Sequence, residues 1–148
     1  MAGSAAKDQI VYPLEKWVIN PIVMLAHNLG LSPPGDALLE TTGRRTGQPR
    51  HTPVCDGLDG QTFWLVAQRG RGADWVKNIQ ANPRVRVKVR TGSGVGWLAG
   101  TAHILDDEDP RARQRLIGQG DPWRRLCVSA SAAADTDPLT VRVDLDPR

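Results

Sequence analysis

Residues 84–90 read Arg-Val-Arg-Val-Lys-Val-Arg, and this unbroken alternation restricts the fold more than any other feature of the chain. Side chains on a strand project alternately to opposite faces, so three valines address one side and four cations the other. A helix would scatter both sets around its circumference. The segment is therefore a half-buried strand, and the protein around it needs a sheet with one apolar face. Residues 139–145, Leu-Thr-Val-Arg-Val-Asp-Leu, repeat the pattern. Residues 36–42, 52–56, 61–68 and 97–105 supply four further strand candidates. Gly57-Leu58-Asp59-Gly60 has the length and composition of a hairpin loop, which predicts that 52–56 and 61–68 pair antiparallel.

Helical signals are short. Asn20-Pro21 opens a helix over 22–29 that ends at Gly30, and 13–19 add a turn or two, with Trp17 and Val18 directed to the core. Residues 1–35 thus read as a helical N-terminal extension. Asp74 is placed to cap a helix reaching Ala81, which Asn82-Pro83 stops. Asp106 to Asp109 are expected to form the acidic first turn of another helix, with Pro110 at an early position. About six short strands with short flanking helices predict an α+β fold, mainly antiparallel β, closing or nearly closing into a barrel. The 148 residues fit one domain, 1–148.

The composition, 40% hydrophobic and 24% charged, is that of an ordinary globular chain and excludes a disordered or membrane-spanning class. With Lys7, Asp8 and Glu15 interrupting the N-terminus, a signal segment is not expected and a cytoplasmic location is. Cys55 and Cys127 lack CxxC or Cys/His spacing and read as two reduced, buried thiols. His27, His51 and His103 are isolated from carboxylates in sequence, so no metal site is expected. Ser129 and Ser131 lack a nucleophile-elbow context.

Net charge is +3, but residues 44–90 carry ten cationic and only three anionic side chains. That region attracts anions. Its densest part is Thr41-Thr42-Gly43-Arg44-Arg45-Thr46-Gly47-Gln48-Pro49-Arg50, between two strands. Glycines permit a turn whose consecutive amides face one anion, the threonines add hydroxyls, and planar guanidiniums suit phosphate or carboxylate. Gly-Lys-Ser/Thr and a following helix are missing, so this is not a P-loop. Arg44 and Arg45 both read as exposed loop cations, whose joint replacement by alanine is expected to weaken anion binding, reduce its salt sensitivity and leave thermal stability nearly unchanged. A solvated hairpin decorated with arginines remains the plainer alternative.

A second stretch, Ala67-Gln68-Arg69-Gly70-Arg71-Gly72-Ala73, leaves a strand and enters the helix before Trp75. Glycines there let a flat ring approach the backbone, though a flexible connection has the same composition. The stripe Arg84, Arg86, Lys88 and Arg90 could track a nucleic-acid backbone, but a polar outer sheet face explains it more simply.

Three motifs taken in order carry a resemblance: residues 38–50, then Gly72-Ala73-Asp74-Trp75-Val76-Lys77-Asn78, then Ala81-Asn82-Pro83. Together they resemble the deazaflavin (F420)-dependent nitroreductase and quinone reductase-like family. The resemblance implies a split β-barrel binding coenzyme F420, a 5-deazaflavin with a phospholactyl and oligoglutamate tail. By the family pattern Arg44, Arg45, Thr46, Gly47, Gln48 and Pro49 bind the phosphate and the start of the tail. Ala67, Gln68, Arg69 and Gly70 line the ring, and Trp75 and Asn78 close its other side. The implied reaction is hydride transfer to a small electron-poor acceptor such as a quinone, an enone or a nitro compound.

Quinone- and nitro-reducing members carry a tyrosine near the C-terminal part of the pocket. Here the only tyrosine is Tyr12, and residues 129–134 are all serine and alanine. An FMN-binding split barrel and a non-catalytic cofactor- or nucleic-acid-binding barrel stand as alternatives. Monomer versus homodimer is open, as is contact of the N-terminal helices with the inner face of the plasma membrane.

Overall fold

The computed structural model describes residues 35–133 and 135–147. The expected N-terminal helices and Tyr12 lie outside the described residues. A seven-stranded antiparallel sheet runs in the order β2-β1-β5-β6-β7-β4-β3. In chain order the strands are β1 (Asp36–Thr42), β2 (Pro49–Cys55), β3 (Leu58–Asp59), β4 (Thr62–Ala67), β5 (Arg84–Thr91), β6 (Gly94–Leu105) and β7 (Leu139–Leu145). Helix α1 (Asp74–Ala81) precedes β5, while α2 (Pro110–Gly118) and α3 (Pro122–Ala132) separate β6 from β7.

The outermost strands, β2 and β3, are separated in the chain only by Asp56 and Gly57. The sheet must therefore curl until its two edges meet, and the result is a split β-barrel. At that seam Trp64 N donates to Gly57 O at 3.0 Å and Asp56 N donates to Gly35 O at 2.8 Å. A Cβ on residue 57 would stand 2.0 Å from Trp64 O, so glycine is what lets the backbones approach.

The alternating pattern of β5 takes its expected sense: Val85, Val87 and Val89 are buried with Ala37, Leu39, Phe63, Leu65, Val141 and Val143 in the main core. Each of the valine, leucine and phenylalanine side chains contributes about 1.5–3 kcal/mol of burial free energy. The cations face outward, where two of them are held by carboxylates. Arg84 bonds Asp146 at 2.9 and 2.6 Å, and Arg86 bonds both Glu40 oxygens at 2.8 Å.

Arg86 also lies over the Trp97 ring at 4.7 Å, and His51 Nε2 is 2.9 Å from Glu40 Oε2. The Arg86 hydrogen bond, outweighing burial, lowers the Glu40 carboxyl pKa below its ordinary 4.5. A carboxylate whose pKa is depressed by folding stabilises the fold above its unfolded value and loses that contribution as pH falls through the folded one. Glu40→Gln should thus cost on the order of 1 kcal/mol at pH 7 and progressively less below about pH 4.5. Urea midpoints across pH 3–7 measure this; a pH-independent difference would contradict the pairing.

Several expectations are corrected. Segments 52–56 and 61–68 do not pair: β2 pairs along its whole length with β1, while β4 pairs with β7 and with β3. Leu58 and Asp59 of the expected loop instead form β3, and the chain turns at Gly60-Gln61 between β3 and β4. Strand β2 starts at Pro49 because its ladder continues to Thr42 at the end of β1. Proline is tolerated at the first residue of an edge strand. The acidic run precedes α2 and is not its first turn: Asp109 is the N-cap, accepting from Arg111 N at 3.0 Å, and Pro110 comes next. Asp74 lies inside α1 and not at its cap, because Ala73 occupies that position. Residues 129–132, part of a stretch with no expected structure, belong to α3.

Cys55 and Cys127 are not reduced, fully buried thiols. They form a disulfide between β2 and α3, with Cα atoms 5.8 Å apart, and both residues are half-buried. Strand pairing of β2 with β1 and the seating of α3 beside them bring the two together across 72 residues.

Candidate functional site

The basic loop closes on itself between β1 and β2. Gly43 N donates to Gln48 O and Gly47 N donates to Gly43 O, each at 2.8 Å, while Gln48 N donates to Thr46 Oγ1 at 3.2 Å. Gly47 has φ +73°, and the Arg50 guanidine folds back over Gly43. Among the described residues the Arg45 and Thr46 amides have no hydrogen-bond acceptor, and both residues are exposed. Two neighbouring amides flanked by guanidiniums form the anion-accepting turn that the composition suggested.

This loop is fastened to α1 through one carboxamide. Asn78 Oδ1 accepts from Arg44 N at 3.2 Å and from Arg44 NH1 at 2.9 Å, and Asn78 Nδ2 donates to Thr41 Oγ1 at 3.1 Å. Asn78 and Thr41 are both buried. Arg44 also reaches Asp74, its NH1 and NH2 lying 3.5 Å from the backbone carbonyl and from Oδ1. Arg44 and Arg45 are therefore not equivalent. Arg44 is committed to the joint between loop and helix, which leaves Arg45 and Arg50 as the cations turned to solvent.

The second loop enters the same helix from the other side. Ala67 is buried at the end of β4, and Gln68 O accepts the Thr136 and Asp137 amides at 3.0 Å each. Gly70 has φ +56° and begins a single 3-10 turn, Gly70–Gly72, whose Ala73 amide returns to Gly70 O at 3.1 Å. A Cβ on residue 70 would meet Asp137 O at 2.4 Å, whereas one on Gly72 would point into open space. Arg71 turns away to pair with Asp106. Trp75, half-buried, packs against both core clusters from the first turn of α1.

The two loops thus converge on the N-terminal half of α1, the basic one through Arg44 and Asn78 and the other by direct continuity. Arg44 and Asn78 meet here and Trp75 lies one turn earlier on the same helix, packed on the core; Arg45, Thr46, Gly47, Gln48 and Pro49 follow Arg44 in the basic loop, and Ala67, Gln68, Arg69 and Gly70 lead into the helix. Sequence reasoning missed Thr41 as the floor of the joint and Asp74 as a partner of Arg44. Both lie inside the quoted motifs, but local spacing could not reveal contacts that span 37 and 30 residues.

A profile of the F420H(2)-dependent quinone reductases matches residues 23–146. The chain belongs to that family. An F420H(2)-dependent quinone reductase of Mycobacterium tuberculosis is 38% identical over 89 residues, 58% of this chain and 56% of that protein. The chain thus spans about half the length of the curated relatives it matches. Among solved structures, an F420-H2 dependent reductase superposes with a TM-score of 0.54 at 21% identity, over 76% of this chain and 95% of that one. The haem storage protein HutZ of Vibrio cholerae gives a TM-score of 0.52 at 11% identity, over 86% of this chain and 90% of its own. At such identities these two likenesses show the split-barrel fold alone and nothing of a ligand. Among the described residues no helix is long and apolar enough to cross a membrane.

Proposed function

We propose that this chain binds coenzyme F420 and transfers hydride from its reduced form to a small electron-poor acceptor of the quinone class. One observation carries the reading: the bonds linking Arg44, Asn78 and Thr41 gather a turn with two unengaged amides against the helix that the glycine-bearing loop enters. The donor set suits a phosphate followed by carboxylates, and Asp74, which lies beside it, is already engaged by Arg44. A flavin mononucleotide would use only the phosphate part of this surface. Membership in an F420H(2)-dependent family favours the longer anionic tail.

When bound, reduced F420 supplies a hydride from C5 of its deazaflavin ring. The chain's own contribution is positioning. Arg45, Thr46, Gly47, Gln48 and Pro49 hold the tail, with Arg44 fixing the loop beneath it. Ala67, Gln68, Arg69 and Gly70 back the ring, and Trp75 and Asn78 set the helix side. Hydride transfer depends on holding donor and acceptor face to face, so a site rich in backbone donors, with no acid–base pair among the described residues, is adequate to it.

The test separates Arg45 from Arg44. Arg45→Ala should weaken F420 binding by roughly tenfold and flatten its salt dependence, the loss of one charge-assisted contact being worth about 1.5 kcal/mol. Its melting temperature should stay within about 2 °C of the wild type, because an exposed unpaired loop cation contributes little to folding. Fluorescence titration with F420 measures the first and thermal denaturation the second. Unchanged affinity would remove the loop from the cofactor site.

A further inference from the structure

We propose that Cys55 and Cys127 form a reversible thiol–disulfide site, a clamp whose state sets how firmly the backbone of the Gln68–Gly70 loop is held. The part concerning cofactor affinity rests on the pocket reading above. Burial secures α3 only weakly. None of its side chains is fully buried, and Trp123 and Leu126 are 55% and 62% exposed. Helices are held in proteins chiefly by burying an apolar face, so α3 depends on other tethers.

Among the described residues, α3 packs on α2 and is tied to the barrel seam by the following bonds. Arg124 bonds Asp56 at 3.2 Å and Leu58 O at 3.1 Å. The residue 118 backbone rests on Arg125, with a Cβ there lying 3.2 Å from the Arg125 Cα. The covalent tie is Cys127 to Cys55, beside which Ser131 Oγ lies 3.4 Å from Cys55 Sγ. Opening that tie leaves the Arg124 ion pair and hydrogen bond at the barrel seam and the packing of α3 on α2.

The segment just C-terminal to α3 carries the effect to the candidate site. Four residues beyond the helix, Thr136 donates its amide to Gln68 O, as does Asp137, and Asp137 O presses on the backbone of Gly70. Loosening α3 therefore loosens the backing of the loop assigned to the ring. The reduced state also has a place to go. Asp36 Oδ1 is 3.1 Å from Cys127 Sγ, so a freed thiol donates a hydrogen bond to that carboxyl.

Chemically, the thiolate of a low-molecular-weight thiol attacks one sulfur, forming a mixed disulfide and releasing the other cysteine as thiolate. A second such thiol then displaces the remaining cysteine. Two external thiols become one external disulfide, and two electrons and two protons end on Cys55 and Cys127. A small external disulfide reverses the sequence.

The experiment uses the full chain equilibrated with either glutathione disulfide or dithiothreitol, then alkylated and weighed. Added alkyl groups should number none in the first case and two in the second. Amide exchange in peptides covering residues 128–140 should be at least about tenfold faster in the reduced protein. F420 should bind roughly fivefold more weakly to it. The Cys55→Ser/Cys127→Ser double variant should match the reduced protein and ignore reductant.

Two alkyl groups on the disulfide-treated protein, or equal exchange in both states, would overturn the clamp. Altered exchange with F420 bound equally well in both states would overturn its coupling to the loop. If F420 binds neither form while exchange still responds, the pocket reading fails and the clamp stands. The wild-type comparison requires no variant to fold.

Discussion

Asn78→Ala is expected to lower stability by about 2 kcal/mol and F420 affinity by more than tenfold. Asn78 is 4% exposed and uses both ends of its carboxamide, accepting twice from Arg44 and donating to Thr41. Truncation leaves the Thr41 hydroxyl, 2% exposed, and the Arg44 amide without those partners. Unsatisfied buried groups carry their full desolvation cost, which is larger than the net value of the bonds they once made. In a chain of this length the loss corresponds to a fall in melting temperature of roughly 4–8 °C.

The affinity loss has a separate origin: the anion-accepting turn is no longer pinned over α1, so its two amides must be ordered at the moment of binding. Asn78→Asp distinguishes the two effects. It keeps an acceptor for Arg44 and should recover part of the stability, yet it adds a negative charge beneath an anion site and should leave binding weak. Urea midpoints at constant slope give the first quantity and fluorescence titration the second. An Asn78→Ala protein with wild-type midpoint and affinity would mean that the joint between loop and helix holds nothing.

How far such a joint could be read beforehand depends on which forces act locally. The alternation of 84–90 and 139–145 is enforced within each strand by burial of one face, and those strands appear at the expected residues. Strand partners are another matter. The loop at 57–60 has hairpin composition, but whether 52–56 turns back on 61–68 depends on what else competes for their edges. Here β1 takes all of β2, and β7 takes β4. The Cys55–Cys127 pairing is hidden for the same reason, since it arises from barrel closure and not from spacing.

The composition of the candidate site was legible as residue types: glycines, guanidiniums and a carboxamide in three short motifs. The division of labour was not. Two adjacent arginines look identical in sequence, and only the helix beginning 30 residues after Arg44 decides that one is a strut and the other a free cation. Likewise the outward stripe on β5 has the composition of a polyanion track. Its charge is partly cancelled by Glu40 and Asp146, carboxylates 46 and 62 residues from their partners.

Gly70→Ala and Gly72→Ala, the same added methyl at either end of one turn, should behave in opposite ways. At residue 70 the backbone holds φ +56°, and an added methyl would stand 2.4 Å from Asp137 O, a backbone atom that cannot swing aside. Left-handed strain of roughly 1 kcal/mol adds to an overpacking cost of about 1–3 kcal/mol. The turn must part from residues 136–137, which breaks the paired amide bonds to Gln68 O. Stability should fall by about 2–3 kcal/mol, and ring binding should be lost with it.

At residue 72 φ is not in the left-handed region and a methyl meets nothing within 4 Å. The fold should therefore tolerate it, gaining a few tenths of a kcal/mol from a less flexible unfolded chain. Any methyl at 72 projects into the open space beside the amides that lead into α1. If a deazaflavin ring packs there, Gly72→Ala weakens F420 binding while thermal stability is kept, and the loss appears equally with the isolated ring system lacking its tail. Weakening confined to the tailed cofactor would move the ring away from this turn, and a stable Gly70→Ala protein with normal binding would contradict the packing of residue 137 on residue 70.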